Sequence, residues 1–377
     1  IMKNICYISG TRADFGLMKY ALQTIDKDKG LNLEVIVTGM HLLSEYGNTY
    51  REICDAGLNV IGKVKVALSG ESGSQMSIAL GEQIIGLTRV LEKSKPDLIL
   101  LLGDRGEMLA GAIAALHLNI PIVHIHGGEL SGTVDESIRH AISKMSHYHF
   151  TATNNSKSRL IKMGELSDNI FVIGAPGLDE ISTTTLIPEE ALFSQYNIDS
   201  NRPFMLLLFH PVVQHVNDIR GQIVTVIESL ISFDMQILAL MPNADAGGGV
   251  IASTLKEYKE KNKIQITTHV TRKIFLSLVS SADVLVGNSS SGIIEAASLG
   301  TPVVNIGSRQ NLRERSNNVV DVSIEKSQII NGINKAVLLN KSLFKNVYGD
   351  GKSSKRIINL LKDLDLNPKI LDKVNAY

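Results

Sequence analysis

Short runs of apolar, mostly β-branched residues alternate with amphipathic helical windows along the chain. Most of these runs are continuously apolar, which is typical of parallel strands that are buried on both faces of a sheet. The pattern therefore predicts an α/β fold with parallel sheets. The predicted strands are Ile5–Ile8, Leu33–Val37, Leu98–Leu102, Ile120–Ile125, Tyr148–Ala152, Ile170–Ile173, Phe204–Phe209, Met235–Leu240, Ile264–Thr267, Val284–Val286 and Pro302–Ile306.

The same alternation of strands and helices occurs in both halves of the chain. With 377 residues, the chain is longer than one hydrophobic core usually supports. The segment Gly174–Gly177 has the composition of a turn and lies between the halves. We therefore predict two doubly wound domains, residues 1–175 and 176–354. Ligands bind at the carboxyl ends of the strands in such sheets, so we expect the active site in a cleft between the domains.

The segment Val286–Glu295 carries the strongest local signal for a ligand. A predicted strand ends there in a turn of Asn, Ser and Gly, and a helix is predicted to follow near Gly292–Leu299. Backbone N–H groups at a helix N-terminus bind phosphate. The carboxylate of Glu295 could accept hydrogen bonds from hydroxyl groups such as those of a ribose. A nucleotide site and a simple helix cap explain this turn equally well.

Composition restricts the partners of the chain. Its 38 Lys and Arg balance 38 Asp and Glu, which argues against a nucleic-acid-binding or polybasic membrane-binding surface. Cys6 and Cys54 cannot form a disulfide framework, and no apolar stretch approaches the roughly 20 residues that cross a bilayer. We therefore expect a cytoplasmic protein that binds neither nucleic acid nor membranes. The GxGxxG and Walker signatures of dinucleotide and P-loop sites are absent from the sequence.

Several motifs follow one another from the first strand to about residue 315. They are Ser9–Asp14, Val37–His41, Gly103–Arg105, Gly127–Glu129, Ser131–His140, Phe209–Pro211, Pro242–Gly247, Gly287–Glu295 and Gly307–Gln310. In this order they resemble the hydrolysing UDP-N-acetylglucosamine 2-epimerases, which make N-acetylmannosamine for sialic-acid-type sugars. The resemblance implies two Rossmann-like domains of the glycosyltransferase-B type and a C-terminal helix, at about 355–377, that packs on the first domain. We also expect a homodimer or a homotetramer.

The resemblance implies a UDP-sugar substrate and the residues that bind it. The implied UDP contacts are Arg12, Arg105, Arg139, His210, Asn243, Val270, Ser289, Ser290, Ser291, Gly292, Glu295 and Arg309. The implied catalytic residues are Asp104, His126, Glu129, Asp135 and His210. We expect no metal and no cofactor, because the chain lacks a clustered ligand set and arginines can neutralise a diphosphate.

The family eliminates UDP to give a 2-acetamidoglucal and then adds water, so it needs residues that transfer protons. Many members have a glutamate where this chain has His126, and either His126 or Glu129 could be the base. Asp135 could instead be a helix cap, and Asp104 could instead form an Asx turn. We interpret His124, on a buried strand, as structural.

The sequence is also compatible with other functions. A retaining glycosyltransferase or a non-hydrolysing epimerase could use the same UDP site, and an inactive nucleotide-sugar sensor could retain it. Within the hydrolysing epimerases, the substrate could be a UDP-2,4-diacetamido-2,4,6-trideoxyhexose, as in pathways to legionaminic-type acids. The products formed from each sugar nucleotide would separate these functions.

Overall fold

The structure is a computed structural model, and the part of the chain that it describes is residues 2–44, 47–67, 73–131, 134–212, 218–242, 247–268 and 270–376. The chain divides into two compact units. Unit 1 comprises Ile1–Glu129, Asp135–Ser182 and Tyr348–Tyr377, and unit 2 comprises Leu130–Val134 and Thr183–Val347.

Strands form two separate sheets. Those of unit 1 are β1 (Lys3–Ser9), β2 (Leu31–Thr38), β3 (Val60–Val64), β4 (Leu98–Leu102), β5 (Ile122–Ile125), β6 (Tyr148–Thr151) and β7 (Ile170–Val172). Those of unit 2 are β8 (Phe204–Leu208), β9 (Gln236–Leu240), β10 (Gln265–Thr267), β11 (Val284–Gly287), β12 (Val303–Ile306) and β13 (Val319–Val322).

Helices connect the strands. They are α1 (Arg12–Asp26), α2 (Tyr50–Asp55), α3 (Gly73–Ser94), α4 (Gly106–His117), α5 (Val134–Met145), α6 (Asn154–Lys162), α7 (Gly177–Thr183), α8 (Glu189–Tyr196), α9 (Ile219–Leu230), α10 (Gly248–Glu260), α11 (Arg272–Ser281), α12 (Ser290–Ile294), α13 (Lys326–Ala336) and α14 (Ser353–Asp363). No helix in the described ranges is both long enough and apolar enough to cross a membrane.

Both sheets are parallel, and the six strands of the second follow the same order as the first six strands of the seven-stranded first sheet. The first is β3-β2-β1-β4-β5-β6-β7, and the second is β10-β9-β8-β11-β12-β13. Every residue of β4 and of β8 is buried, as continuous apolar runs predict. The order reverses between β1 and β4 and again between β8 and β11, and doubly wound sheets bind ligands at such switch points. The predicted fold class of two doubly wound α/β domains is confirmed.

Two edge strands were not predicted. β3 and β13 lie at the outer edges of the two sheets, and most of their residues are only partly buried. β3 contains Gly62 and Lys63, and β13 contains Asp321. An edge strand has one neighbouring strand and partial cover, so its sequence does not need the continuous apolar run by which the central strands were recognised.

Unit 1 continues past the predicted domain boundary at residue 175 and includes most of α7. Asp179 in α7 is 1% exposed, and its carboxylate accepts a hydrogen bond from the backbone N–H of Ser353, at 2.9 Å, and another from that of Ser354. These bonds join α7 to the start of α14. The compact units therefore change over at Ser182 and Tyr348 rather than at the predicted residues 175 and 354.

The chain returns to unit 1 through α14, which ends at Asp363. The predicted C-terminal helix at about 355–377 is therefore α-helical only in its first part, and a short 3-10 helix at Pro368–Leu371 follows. The ammonium group of Lys3 donates hydrogen bonds to the carbonyl oxygens of Leu361 and Leu364 at the end of α14, at 3.0 and 2.7 Å. The hydroxyl of Tyr148 donates to the carbonyl of Asp365. These contacts attach the last helix to the amino ends of β1 and β6.

A buried ion cluster fastens the residues after α14. The carboxylate of Glu165 is 2% exposed and lies 2.7 Å from Nζ of Lys144, 2.6 Å from Nζ of Lys373 and 2.9 Å from Nε2 of His149. Burial alone would raise the pKa of Glu165, but the hydrogen bonds from His149 and the two lysines outweigh it and lower the pKa to about 2. Lys373 also donates to the carbonyl oxygen of Ser146, just past the end of α5.

Replacing Lys373 by methionine should destabilise the protein by about 1.5–3 kcal/mol, the range for hydrogen bonds that involve a charged group. The change removes one counter-charge of Glu165 and the donor to the end of α5. Urea unfolding of the full chain measures the effect. Lys362→Met is the matched control, because the ion pair of Lys362 with Asp28 is more exposed and should contribute about 0–1 kcal/mol.

The pH dependence of this difference follows from the pKa of Glu165. The folded-state pKa of about 2 lies below the ordinary value of 4.5, so the stabilisation is fully present above pH 4.5 and is lost as the pH falls towards 2. The difference between the parent protein and Lys373→Met should therefore be constant near neutrality and shrink in acid. A difference that grows in acid would contradict the ion-pair explanation.

Candidate functional site

The carboxyl end of β4 carries Asp104, in the turn that leads into α4. Its carboxylate forms an ion pair with the guanidinium of Arg139, which comes from α5 and is 1% exposed. The same guanidinium donates a hydrogen bond from Nη1 to the backbone carbonyl oxygen of Glu129 at 3.1 Å. Arg139 therefore joins the end of β4 to the loop after β5, and three of the predicted site residues meet there.

His126 and Glu129 form a second pair in the loop after β5. The Nδ1 atom of His126 lies 2.8 Å from Oε1 of Glu129, and the two side chains are 10% and 4% exposed. His126 has a backbone φ of 64°, which is uncommon for a residue other than glycine. Its backbone N–H donates to the carbonyl of Phe150 in β6 at 3.0 Å, so the neighbouring strand holds this conformation.

His124 lies on β5 itself and is fully buried. Its Nδ1 is 3.0 Å from Oγ of Ser143, and its Nε2 is 2.7 Å from the carbonyl oxygen of Gly103. Burial lowers the pKa of His124 to about 3, so the ring is neutral near pH 7. Partners at both nitrogens and complete burial give this histidine a structural role.

Asp135 lies within α5 rather than at its cap. The helix begins at Val134, so Asp135 belongs to the first turn, and the alternative in which it is the N-cap does not fit this position. Its side chain is half-buried. Arg139 stands four positions further on, on the same face of the helix. A carboxylate in a first helical turn is stabilised by the backbone N–H groups there.

Arg12 and Arg105 are each paired with a carboxylate that was not predicted to belong to the site. Nε of Arg12 lies 2.8 Å from Glu52, and Nε of Arg105 lies 3.2 Å from Glu107. Glu107 is 5% exposed and packs so closely on the turn after β1 that a Cβ atom on Gly10 would lie 2.6 Å from its Cγ. A carboxylate of the protein itself therefore lies at the switch point of the first sheet.

The turn between β1 and α1 is fixed by Asp14. Its carboxylate accepts hydrogen bonds from the backbone N–H of Thr11, at 2.6 Å, and from the hydroxyl of Ser9, which is 2.9 Å from Nε2 of His41. Burial raises the pKa of Asp14, and His41 and these hydrogen bonds offset only part of that effect. Burial also lowers the pKa of His41. The network holds the turn from which Arg12 projects.

In unit 2 the side chain of Asn288 bridges the carboxyl ends of β8 and β11. It is 2% exposed; its Oδ1 accepts from the backbone N–H of His210 at 2.7 Å, and its Nδ2 donates to the carbonyl of His210 at 2.9 Å. The bridge crosses the switch point of the second sheet. It holds the half-buried His210 beside the serine turn that follows β11.

The serine turn leads into a shorter helix than predicted. α12 spans only 5 residues, and a separate 3-10 turn covers Ala296–Leu299, whereas the sequence predicted one helix near Gly292–Leu299. Ser289 is the N-cap, and its hydroxyl accepts from the backbone N–H of Ser291 at 3.4 Å. A helix this short has little dipole, so anion binding here would depend on the N–H groups and hydroxyls of the turn. These belong to Ser289, Ser290, Ser291 and Gly292.

Two arginines flank this turn. Arg309 donates from Nη1 to the carbonyl oxygen of Asn288 at 3.2 Å, and Gln310 donates from Nε2 to the same oxygen at 3.0 Å. Glu295 lies at the end of α12 and is 3% exposed. Its Oε1 forms an ion pair with Nη2 of Arg272, from the start of α11. The predicted residues of unit 2 are therefore grouped around the carboxyl end of β11.

The remaining predicted contacts are less informative. Val270 is half-buried before α11 and packs against the hydrophobic core of unit 2. Asn243 lies outside the described residues. In the described ranges, no group of three or more His, Cys, Asp or Glu residues could hold a metal ion. That the protein needs no metal or cofactor stays a prediction.

Comparison with known proteins identifies the family. A family model described as UDP-N-acetylglucosamine 2-epimerase matches residues 23–362. The chain belongs to this epimerase family. It is 48% identical, over 100% of both chains, to a Legionella pneumophila protein named UDP-N,N'-diacetylbacillosamine 2-epimerase (hydrolyzing). It is 35% identical to a Neisseria meningitidis UDP-N-acetylglucosamine 2-epimerase, over 90% of this chain and 89% of that protein.

The structural comparison supports the fold of this UDP-sugar 2-epimerase family. The crystal structure of the Neisseria meningitidis UDP-GlcNAc 2-epimerase bound to UDP-GlcNAc superposes with a TM-score of 0.81, covering 95% of this chain and 99% of that one, at 20% identity. At that identity the match establishes the two-domain architecture, of glycosyltransferase-B type, and leaves the substrate to other observations.

The sequence analysis missed three residues that the structure places among the candidate site residues of this epimerase-family protein. Glu107 and Asn288 stand next to or inside recognised motifs, so the motifs themselves could have indicated them. Arg272 had no such signal, because it begins an ordinary amphipathic helix and lies 23 positions from Glu295 in the sequence. Only the packing of α11 against the 3-10 turn that follows Glu295 brings that pair together.

Replacing Gly287 by alanine should destabilise unit 2 severely. Its φ of 140° is a conformation that L side chains rarely adopt, and a Cβ atom there would lie 1.9 Å from the carbonyl oxygen of Leu208. Backbone strain and overpacking together should cost about 3 kcal/mol or more. Urea unfolding measures the loss of stability.

Gly300→Ala is the matched control, because Gly300 has a φ of 72° but no heavy atom within 4 Å of the added Cβ. Its cost should be about 1 kcal/mol, from the left-handed backbone alone. Equal losses in the two variants would show that the close approach to β8 does not limit this turn.

Proposed function

We propose that this protein is a hydrolysing 2-epimerase whose substrate is UDP-N,N'-diacetylbacillosamine, a UDP-linked 2,4-diacetamido-2,4,6-trideoxyhexose. The Legionella relative supports this substrate because it is named for it and matches the whole chain at 48% identity. The relative named for UDP-N-acetylglucosamine matches at 35%. The proposal therefore takes up the alternative substrate of the sequence analysis and places UDP-N-acetylglucosamine second.

The observation that carries the reaction type is the group of two carboxylates, a histidine and a buried arginine at the carboxyl edge of the first sheet. Elimination of UDP breaks the bond between C1 and the diphosphate oxygen and removes the proton on C2. C2, the carbon that carries this proton, is not next to a carbonyl group, so the proton is only weakly acidic. The C1–oxygen bond must therefore break first, and positive charge develops on the sugar. Asp104 and Asp135, both at this edge, are the carboxylates suited to stabilise that charge and to direct water to the intermediate.

We assign the base to His126 and a positioning role to Glu129. Nδ1 of His126 lies 2.8 Å from Oε1 of Glu129, and of the two side chains the histidine is the more exposed. The carboxylate lies beside the Nδ1 edge of the ring, so the Nε2 edge, on the opposite side of the imidazole, is the one that can accept the proton of the substrate. Addition of water then returns a proton to C2 on the opposite face.

Unit 2 supplies the UDP site in this proposal. The departing diphosphate gains negative charge, and Arg309 together with the N–H groups and hydroxyls of the serine turn can stabilise it. Glu295 is suited to accept hydrogen bonds from ribose hydroxyls. The elimination sets UDP free, and the glycal that remains then takes up one water molecule, its hydroxyl at C1 and its hydrogen at C2, to give the free 2-epimeric sugar. The predicted cleft between the domains, the homo-oligomer and the cytoplasmic location stay predictions.

The substrate assignment is tested by incubating the purified protein with UDP-N,N'-diacetylbacillosamine and, separately, with UDP-N-acetylglucosamine. We expect UDP and a free manno-configured diacetamido sugar from the first, with kcat/KM at least about 10-fold higher than for the second. Proton NMR identifies the sugar, and a coupled assay measures UDP. A product that still carries UDP would indicate a non-hydrolysing epimerase, and UDP release only with an acceptor would indicate a glycosyltransferase.

The assignment of the base is tested with His126→Gln and Glu129→Gln. His126→Gln should lower kcat by about 10²-fold or more, because it removes a general base, while UDP affinity changes by less than a few-fold. Glu129→Gln should be less damaging, because it changes the neighbour of the base and keeps the base itself.

Ser253→Ala, at an exposed position in α10 outside all the site motifs, is the control and should leave kcat unchanged. If His126→Gln retains most of the parent kcat and Glu129→Gln loses nearly all activity, the base is Glu129 and our assignment is reversed.

A further inference from the structure

Arg272 forms an ion pair with Glu295 in unit 2, and neither the family motifs nor the sequence pattern indicated it. The Arg272 side chain is 15% exposed and that of Glu295 is 4% exposed. A carboxylate with so little access to water is costly to bury unless a counter-charge and hydrogen bonds compensate. Arg272 provides both through its contact with Oε1.

The position of Arg272 is itself well defined. It is the first residue of α11, next to the N-cap Thr271, whose hydroxyl accepts from the backbone N–H of Ile274 at 3.3 Å. Its guanidinium lies 5.6 Å from the centre of the Phe275 ring, within the range of a cation–π contact. The helix start and the ring therefore fix the guanidinium from one side, and it fixes one oxygen of Glu295 from the other.

We propose that Arg272 is a positioning residue for ribose recognition: by holding Oε1 of Glu295, it directs Oε2 to accept a hydrogen bond from the 2′-hydroxyl of the nucleotide. The inference deepens the proposed function, because it rests on the assignment of the UDP site to unit 2. It makes Arg272 a determinant of the preference for ribonucleotides over deoxyribonucleotides. Arg272 itself does not touch the nucleotide.

A carboxylate that is fixed through one oxygen distinguishes a ribonucleotide from a deoxyribonucleotide better than a mobile carboxylate does. With Oε2 fixed, a ligand that lacks the 2′-hydroxyl leaves a nearly buried charged acceptor without its partner, and such a loss is costly. With a mobile carboxylate, Glu295 can rotate to find another donor or water, and the penalty for the missing hydroxyl falls. Removing Arg272 should therefore reduce discrimination more than it reduces affinity for the deoxyribonucleotide.

The experiment measures Kd by calorimetry for UDP and for 2′-deoxyuridine 5′-diphosphate with the full-length parent protein, Arg272→Met, Arg272→Lys and Glu295→Gln. We expect the parent protein to prefer UDP by about 10-fold or more, the factor for one hydrogen bond to a charged group. In Arg272→Met the ratio should fall to within about 2-fold of unity, while Kd for the deoxyribonucleotide changes by less than about 3-fold. Arg272→Lys, which keeps the charge, should recover part of the ratio.

Arg202→Met is the matched control. Arg202 forms an exposed ion pair with Asp234, at 2.8 Å, close to the amino end of β8 and so at the opposite edge of the sheet from the serine turn. This variant should retain the parent ratio and both Kd values. Glu295→Gln should resemble Arg272→Met in its ratio, because both changes act on the same acceptor.

Several outcomes would overturn the inference. Equal weakening of both nucleotides in Arg272→Met would mean that Arg272 contacts a group that they share, such as the diphosphate. An unchanged ratio with a lowered unfolding midpoint would mean a purely structural ion pair. If the parent protein binds the two nucleotides equally well, Glu295 does not contact the 2′-hydroxyl and the inference is wrong. The products of UDP-sugar turnover would still identify the epimerase in that case. No binding of UDP and no turnover would instead contradict the proposed function itself.

Discussion

Ion pairs between arginines and poorly exposed carboxylates hold the candidate site residues in both units. Arg139 binds Asp104, Arg105 binds Glu107 and Arg272 binds Glu295. Removing one partner of such a pair leaves an uncompensated charge away from water, so each pair strongly restrains its members. The side chains of the candidate site are thus held in fixed orientations, which is the condition under which charges stabilise a transition state most effectively.

Sheet topology determines where these pairs form. Each sheet buries its central strands on both faces, so charged side chains collect at the carboxyl ends, and the strand order opens a switch point there. The two units use their switch points differently. In unit 1 the protein's own Glu107 packs against Gly10, whereas in unit 2 the neutral Asn288 bridges to His210 beside the serine turn. An anionic ligand is therefore better suited to the second sheet, which agrees with the proposed division of roles.

The sequence predicted the buried parts of the fold well and the exposed parts poorly. Central strands such as β4 have to be apolar throughout, so their bounds could be predicted from composition. The edge strands β3 and β13 are only partly covered and carry Lys63 and Asp321. They therefore lack the continuous apolar run by which a buried strand is recognised in the sequence. The helix predicted after β11 is interrupted at Glu295. The side chain of Glu295 forms an ion pair with Arg272, which local helix propensity does not indicate.

By itself, the sequence determined the two parallel sheets, the order of the motifs and which polar residues follow each strand, because these depend on local patterns of burial and turn formation. Only the tertiary structure decided which of these residues pair. Arg139 and Asp104 are 35 positions apart, and Arg272 and Glu295 are 23 apart. An ion pair acts over a few ångströms, and sequence separation does not encode that distance. It is set by strand order and helix packing, which place distant residues at the same edge of a sheet.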